Sequence, residues 1–110
     1  MKLIIAIVQD EDASRLVQTL MDEGFSATKL ATTGGFLRAG NTTLLIGVED
    51  SSAQQAISLI ERVCQSRTQM TAAQMPPAGM AASAYTPYPI EITVGGATIF
   101  VLSVEQFLKV

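Results

Sequence analysis

Residues 27–43 read ATKLATTGGFLRAGNTT, and the rest of the chain is organised around this stretch. It begins like a strand, passes through a loop of glycines, hydroxyls and one arginine, and ends as a second strand. Gly34 and Gly35 can adopt φ > 0 and present successive backbone N–H groups, the geometry of an anion-binding nest. Lys29 and Arg38 place positive charge on both sides of the loop, and a guanidinium can hold a phosphate through two parallel N–H groups.

Phe36 and Leu37 lie at the loop tip, where an ordinary turn would be polar. An exposed aromatic ring beside phosphate donors can stack on a nucleobase, since every base presents a π-face. A β-hairpin whose loop tip packs against a neighbouring subunit explains the same two residues without a ligand. Residue chemistry alone favours neither interpretation over the other.

The stretch resembles the signature of the PII-like cyclic di-AMP receptor family, trimeric signalling proteins related in fold to the nitrogen-regulatory PII proteins. The resemblance includes MKLIIAIVQD at residues 1–10, YPIE at 88–91 and VGGATIFV at 94–101. It covers nearly the whole chain with similar lengths between motifs. It is therefore far more specific than a pair of glycines.

Size and composition predict one domain, residues 1–110, whose apolar surface is covered by another subunit. The chain is 48% hydrophobic and 15% charged, against about 25% charged for an ordinary soluble domain. So few charges on a small domain predict an oligomer that buries apolar surface between subunits. No apolar run approaches the roughly 20 residues of a spanning helix, and residues 1–8 are too short for a signal peptide. We therefore expect a cytoplasmic protein without membrane insertion.

Charge and residue usage narrow the function classes. A net charge of −3 without a basic run argues against a nucleic-acid polymer as partner but permits a small anion. Cys64 is the only cysteine, which excludes an internal disulfide and fits a reducing compartment. The chain has no histidine, the commonest general base and metal ligand. We expect no catalytic residues, no metal and no cofactor.

The patterns predict an α+β ferredoxin-like sandwich, β-α-β-β-α-β with a further C-terminal hairpin strand. Strands are predicted over residues 2–9, 25–33, 42–49, 90–94 and 97–102, the last two joined by a two-residue turn at Gly95 and Gly96. Helices are predicted from about residue 10 to 23, from 53 to 64 after a cap at residues 50–52, and over 104–108. Residues 71–89, apolar and uncharged, are predicted to form a long loop that lies on the body or over a neighbouring cleft.

Single residues add detail to this outline. Asp10 or Asp12 is predicted to cap the first helix, and Gly24 to end it. Gly47 inside a strand marks either a close approach of ligand or backbone, or a bulge. Cys64 is predicted to be a small buried hydrophobe rather than a reactive thiol.

The resemblance implies the ligand site residue by residue. The positions that match family contacts to base, ribose or phosphate are Thr28, Gly35, Phe36, Leu37, Asn41 and Gly47. Phe100 matches the strand position that closes over a base from the neighbouring side. Arg38 joins them for its charge, and Ser26, Lys29 and Lys109 are further possible contacts.

Three positions depart from the family pattern. Gly24 stands where family members carry an asparagine, Ser26 where they carry an arginine, and Lys109 where glutamine is usual. Loss of the arginine removes a planar cation that could stack on a base or pair with phosphate. Lys109 offers a positive charge from another direction, as a flexible point charge.

Two binding hypotheses follow. The first is a homotrimeric receptor that binds cyclic di-AMP in inter-subunit clefts and signals to an unknown downstream protein by rearranging loops 34–41 and 71–89. The second is the same scaffold sensing ATP, ADP or a different cyclic dinucleotide.

Two other classes are disfavoured. An enzyme acting on a phosphoanhydride would need Mg²⁺ held by acids that helix starts explain better: Asp10, Asp12, Glu49 and Asp50. A metal-binding trimer of the divalent-cation-tolerance type would need soft ligands, and Cys64 is the only one.

Overall fold

The fold comprises six strands and two helices over the residues that the computed structural model describes, which are 1–30, 40–72 and 89–110. The strands are β1 (Lys2–Gln9), β2 (Ala27–Lys29), β3 (Asn41–Val48), β4 (Arg67–Ala72), β5 (Pro89–Val94) and β6 (Ala97–Ser103). The helices are α1 (Asp10–Asp22) and α2 (Ala53–Cys64), and a single 3₁₀ turn at Asp50–Ser52 precedes α2.

The main sheet has the strand order β2-β3-β1-β6, and every neighbouring pair is antiparallel. Alternate residues of its two central strands are buried: Ile4, Ala6, Val8, Leu44, Ile46 and Val48. Both helices contribute to the same core cluster, through Leu16, Leu20, Ala56 and Ile60 among others. This is a two-layer α+β architecture with two helices, consistent with the predicted ferredoxin-like fold.

Each of the two helices buries one face. In α1, Ala13, Leu16 and Leu20 are buried, whereas Met21 is 59% exposed and lies outside the core. Helix α2 buries Ala56, Leu59, Ile60, Val63 and Cys64. Gly24 has a φ of 88° two residues after α1, as expected of a glycine that ends a helix.

The predicted N-terminal caps of both helices were wrong. Gln9 is the N-cap residue of α1, and it makes no side-chain capping bond. Asp10 instead accepts a hydrogen bond from the Thr42 hydroxyl, and Asp12 is buried in an ion pair. Ser52 precedes α2 without a side-chain cap, while Asp50 lies 2.8 Å from the N-terminal amine. The carboxylates that the local pattern assigns to capping instead bind groups that are distant in the sequence.

The predicted hairpin between the last two strands was also wrong. β6 pairs with β1, from Lys2↔Ser103 to Val8↔Ala97, and is thus the fourth strand of the main sheet. β5 pairs with β4, a strand that the sequence analysis did not predict, from Arg67↔Val94 to Ala72↔Pro89. We call this two-stranded sheet the β4–β5 arm. Because β4 ends at Ala72 and β5 begins at Pro89, the predicted loop over 71–89 overlaps both strands, and its remaining residues 73–88 lie outside the described ones.

The predicted final helix over 104–108 was wrong as well. Residues 104–110 form no regular element, and the Val104 N–H continues the ladder by donating to the Met1 carbonyl over 3.1 Å. A five-residue helix has too few internal bonds to offset nucleation. Phe107 and Leu108 are consequently exposed, at 64% and 72%.

Gly95 and Gly96 allow a prediction about the joint between the arm and the main sheet. Both have positive φ, 84° and 91°. A Cβ on Gly95 would lie 2.5 Å from the Gln65 carbonyl oxygen, whereas a Cβ on Gly96 meets nothing within 4 Å. Gly96→Ala is expected to lower the free energy of unfolding by about 1–2 kcal/mol through backbone strain alone. Gly95→Ala should lower it clearly further, because the chain must also shift. Urea denaturation of both variants checks this, and equal losses would contradict it.

Candidate ligand-binding site

The face of the main sheet that points away from the core carries a group of apolar side chains. Side chains alternate along a strand, and directly opposed residues share a face. The register therefore places one set on this face, which we call the open face: Leu3, Ile5, Ile7, Gln9, Thr28, Asn41, Thr43, Leu45, Gly47, Thr98, Phe100 and Leu102. Phe100 and Leu102 are 51% and 47% exposed in the single chain. Such an apolar surface favours coverage by another body.

Two of the predicted ligand contacts lie in one row across the open face. Thr28 is opposite Leu45, Leu45 is opposite Ile5, and Ile5 is opposite Phe100. Three strand spacings place Thr28 and Phe100 roughly 14 Å apart. Within one chain, therefore, the ring of Phe100 does not meet the group of contacts around Thr28.

A cavity of about 260 Å³ brings three further positions together. Its lining is Met1, Gly24, Phe25, Ser26, Gly47, Val48, Glu49 and Ser52. The cavity is thus lined both by Gly47, a predicted contact, and by Gly24 and Ser26, two of the positions that depart from the family pattern. Ser26 is short and neutral, so the position where family members carry an arginine supplies no cation here.

Gly47 lies in a regular strand. The β1–β3 register runs unbroken from Lys2↔Val48 to Gln9↔Asn41, so the bulge considered for this residue is wrong. A Cβ at Gly47 would meet only the Met1 Cε, at an ordinary 3.7 Å, and its φ is not positive. Glycine normally weakens a strand. Among the described residues, nothing in the fold of the single chain requires a glycine here.

Asn41 is at the other end of β3, about 20 Å along the strand from Gly47. It lines a larger cavity, of about 500 Å³, with Ile7, Val8, Gln9, Gly95, Gly96, Ala97 and Thr98. Amide and hydroxyl side chains from Gln9, Asn41 and Thr98 give this cavity neutral polar groups. The described contacts therefore fall into separate groups rather than one closed pocket.

The remaining predicted residues have different placements. Lys29 is opposite the buried Leu44, which puts it on the helix side of the sheet, where it lines a cavity of about 300 Å³ with residues of α1. Lys109 is in the exposed C-terminal segment. Gly35, Phe36, Leu37 and Arg38 lie outside the described residues, so their roles stay predictions.

An ion pair that was not predicted from the sequence lies at the base of the β4–β5 arm. The Asp12 carboxylate is 2% exposed, and Arg67 binds both of its oxygens, with Nη2 at 2.8 Å and Nη1 at 3.3 Å. Arg15 approaches to 3.6 Å while donating to the Val63 carbonyl. Hydrogen bonding to Asp12 raises the pKa of Arg67. The two partners are 55 residues apart, so no local pattern could have indicated the pair.

Cys64 is 1% exposed, as predicted, at the end of α2. Burial, and secondarily the charge of Asp12, raises its pKa to about 11 from the ordinary value of 9.0. The folded state thus holds the thiol proton more tightly than the unfolded state. That contribution to stability is fully present below pH 9 and is lost as the pH rises through 9 towards 11.

We therefore expect Cys64 to resist alkylation in the native protein. At pH 8 the thiol is protonated and buried, and the thiolate is the reactive form. Iodoacetamide labelling followed by mass spectrometry should be slow in buffer and fast in urea. Rapid native labelling at the rate of a free thiol would contradict the buried placement.

Within residues 1–30, 40–72 and 89–110, no helix is long and apolar enough to cross a membrane. The same residues contain no group of three or more Cys, Asp or Glu side chains placed to hold a metal ion. With its apolar open face and polar cavities, the described part of the chain has the features of a small α+β binding domain.

Comparison with known proteins identifies the family. The family model described as cyclic-di-AMP receptor matches residues 1–110, and the protein belongs to this family. A crystal structure of a functionally unknown protein from Pediococcus pentosaceus is similar, with a TM-score of 0.76 and 42% sequence identity. The match covers 99% of this chain and 96% of that one. The family resemblance predicted from the sequence is confirmed, and it implies nucleotide-binding signalling rather than catalysis.

Proposed function

We propose that the protein is a PII-like signal-transduction receptor that binds cyclic di-AMP in clefts between the subunits of a homotrimer. The observation that carries this proposal is the family match over the whole chain. It is supported by the placement of Gly47 and Ser26 around one cavity. Thr28 follows Ser26 by two residues, on β2.

The open face supports the inter-subunit location. Thr28 and Phe100 share this face but lie roughly 14 Å apart in one chain. A second subunit that covers the open face would bring its own Phe100 towards the first subunit's Thr28. Such packing also removes from water the apolar side chains that a single chain leaves exposed.

The proposed contacts have complementary roles. Phe36 stacks on a base, Arg38 and the N–H groups of Gly34 and Gly35 bind phosphate, and Gly47 lets the ligand approach the backbone of β3. Because Gly24 and Ser26 offer no base-stacking cation, the same scaffold could select ATP, ADP or a different cyclic dinucleotide. That is the second candidate.

The signal would pass to a downstream protein, as yet unidentified, through rearrangement of loops 34–41 and 71–89 on ligand binding. In this role the ligand is bound and released unchanged. The single, buried thiol fits action in the reducing cytoplasm.

The oligomeric state tests the inter-subunit part of the proposal. Light scattering should give three times the chain mass of 11.7 kDa. Leu102→Lys places a charge on the open face and should shift the mass towards one chain, because burying an unpaired ammonium is costly. Met21→Lys, at a comparably exposed site on α1, should leave the trimer intact. A three-chain mass for both variants would contradict the interface.

Calorimetric titration with cyclic di-AMP tests the ligand. We expect one ligand per subunit for the wild type. Phe36→Ala should weaken binding by about 1–3 kcal/mol, the contribution of one base stack. Gly47→Ala should also weaken binding, yet keep the free energy of unfolding or raise it by up to about 1 kcal/mol, since glycine is unfavourable inside a strand.

The control is Met21→Ala, which alters an exposed apolar residue away from the open face. It should bind like the wild type. No heat from the wild type with cyclic di-AMP would overturn the ligand assignment. Heat with ATP, ADP or another cyclic dinucleotide instead would establish the second candidate.

A further inference from the structure

Residues 9–12 are the last residue of β1 and the first three of α1, and we call this strand-to-helix junction the β1–α1 turn. It contacts two distant parts of the chain. On one side is the exit of the loop at residues 34–41, which we call the signature loop. The Asp10 N–H donates to the Gly40 carbonyl over 2.9 Å, and the Asp10 carboxylate accepts from the Thr42 hydroxyl. Gln9 is opposite Asn41 in the β1–β3 ladder. The loop exit is therefore fixed to the turn by main-chain and side-chain bonds.

On its other side the turn holds the base of the β4–β5 arm. Asp12 binds Arg67, the first residue of β4, through both carboxylate oxygens. The Gln9 side-chain oxygen accepts a 2.8 Å hydrogen bond from the N–H of Gly95, just after β5. Both strands of the arm are thus tied to the same four residues.

The arm depends on this base for its orientation. Among the described residues β4 and β5 pair only with each other, and their middle residues are exposed: Thr68, Gln69, Met70, Ile90, Glu91, Ile92 and Thr93. A two-stranded ribbon is at best marginally stable by itself in water. Val94, 8% exposed, is the one buried residue among residues 67–70 and 89–94 of the arm.

The cavity of about 500 Å³ separates the loop exit from the arm base. Asn41 lines it on one side, Gly95 and Gly96 line it on the other, and Gln9 lies between them. The two regions are thus joined through the β1–α1 turn rather than by direct packing across that space.

We propose that the β1–α1 turn couples the signature loop to the β4–β5 arm, so that ligand binding at the loop changes how firmly the arm is held. This inference rests on the proposed function, because it describes the regulation of the same site. Asp12 is a positioning residue here and does not touch the ligand.

The Asp12–Arg67 pair suits this role because it is buried on the carboxylate side and opening it is costly. A carboxylate that is 2% exposed is disfavoured when the guanidinium that binds both of its oxygens leaves, even with Arg15 still 3.6 Å away. The pair therefore stays closed or opens together with the arm, and a shift of the loop exit is transmitted through Asp10 to the start of α1. Discrete rearrangements of packed elements amplify small displacements at a ligand site.

The test compares Asp12→Asn with Glu11→Gln. Both remove one negative charge from the first turn of α1. Glu11 is exposed and, unlike Asp12, is not a described hydrogen-bond or ion-pair partner of Arg67, on which its charge acts only at longer range. The readout is amide hydrogen exchange of β4 and β5 with and without cyclic di-AMP, together with calorimetric affinity. Should Asp12→Asn fail to fold by circular dichroism, Gln9→Leu replaces it and removes the bond to Gly95.

In the ligand-free state, Asp12→Asn should speed exchange in the arm by roughly tenfold over Glu11→Gln, because a charge-assisted bond is lost. Cyclic di-AMP should change arm exchange in the wild type and in Glu11→Gln. In Asp12→Asn that change should shrink at least about threefold while affinity stays within about twofold of the wild type.

Distinct results separate the two proposals. Equal amide exchange of the arm in the two ligand-free variants would overturn the role of Asp12 in holding the arm. Binding heat without any change in wild-type arm exchange, or with an undiminished change in Asp12→Asn, overturns the coupling alone. No binding heat in the wild type removes the proposed ligand, and with it the ligand-driven coupling, while the ligand-free comparison still decides whether Asp12 holds the arm.

Discussion

β1 is the strand on which the rest of the structure depends, because it is hydrogen-bonded along both edges and apolar on both faces. Its pairs with β3 and β6 fix the positions of the other strands. The side chains of Ile4, Ala6 and Val8 point into the core, which leaves Leu3, Ile5 and Ile7 on the open face. A strand of this kind needs two covers. The helices cover one face of β1, and a second copy of the chain is proposed to cover the other.

The sequence predicted element types well and element partners poorly. Periodicity located α1, α2 and the central strands, since burial imposes a repeat of 3.6 or 2 residues on the chain itself. The same alternation in β5 and β6 suggested a hairpin across Gly95, but β6 pairs with the free edge of β1 instead. Pairing is decided by competition between edges far apart in sequence. The strand β4 is mostly polar, so its sequence shows no hydrophobic periodicity. The Asp12–Arg67 pair joins residues far apart in the sequence, so no local pattern could predict it.

The site divides in a similar way. Motif resemblance supplied Thr28, Asn41, Gly47 and Phe100 as candidates, but only the register shows that Thr28 and Phe100 share a row while Asn41 lies by another cavity. For Gly47 the sequence left a bulge and a close approach open, and the unbroken ladder removes the bulge. A glycine that the single chain does not need is best explained by something outside that chain. This supports the proposed approach of the ligand to β3.

The distribution of cations links ligand binding to loop conformation. Of the chain's seven Lys and Arg residues, Arg15 and Arg67 are engaged with Asp12, and Lys2 donates to Ser103. Lys29 lies on the helix side of β2. With serine at position 26, the positive charge nearest to the proposed nest in the sequence is Arg38, inside the signature loop. Phosphate neutralisation by Arg38, rather than by Lys109 from the exposed C-terminal segment, would require the loop itself to close on the ligand. Ligand affinity would then depend on the equilibrium between loop positions. A receptor that signals through this loop needs that dependence.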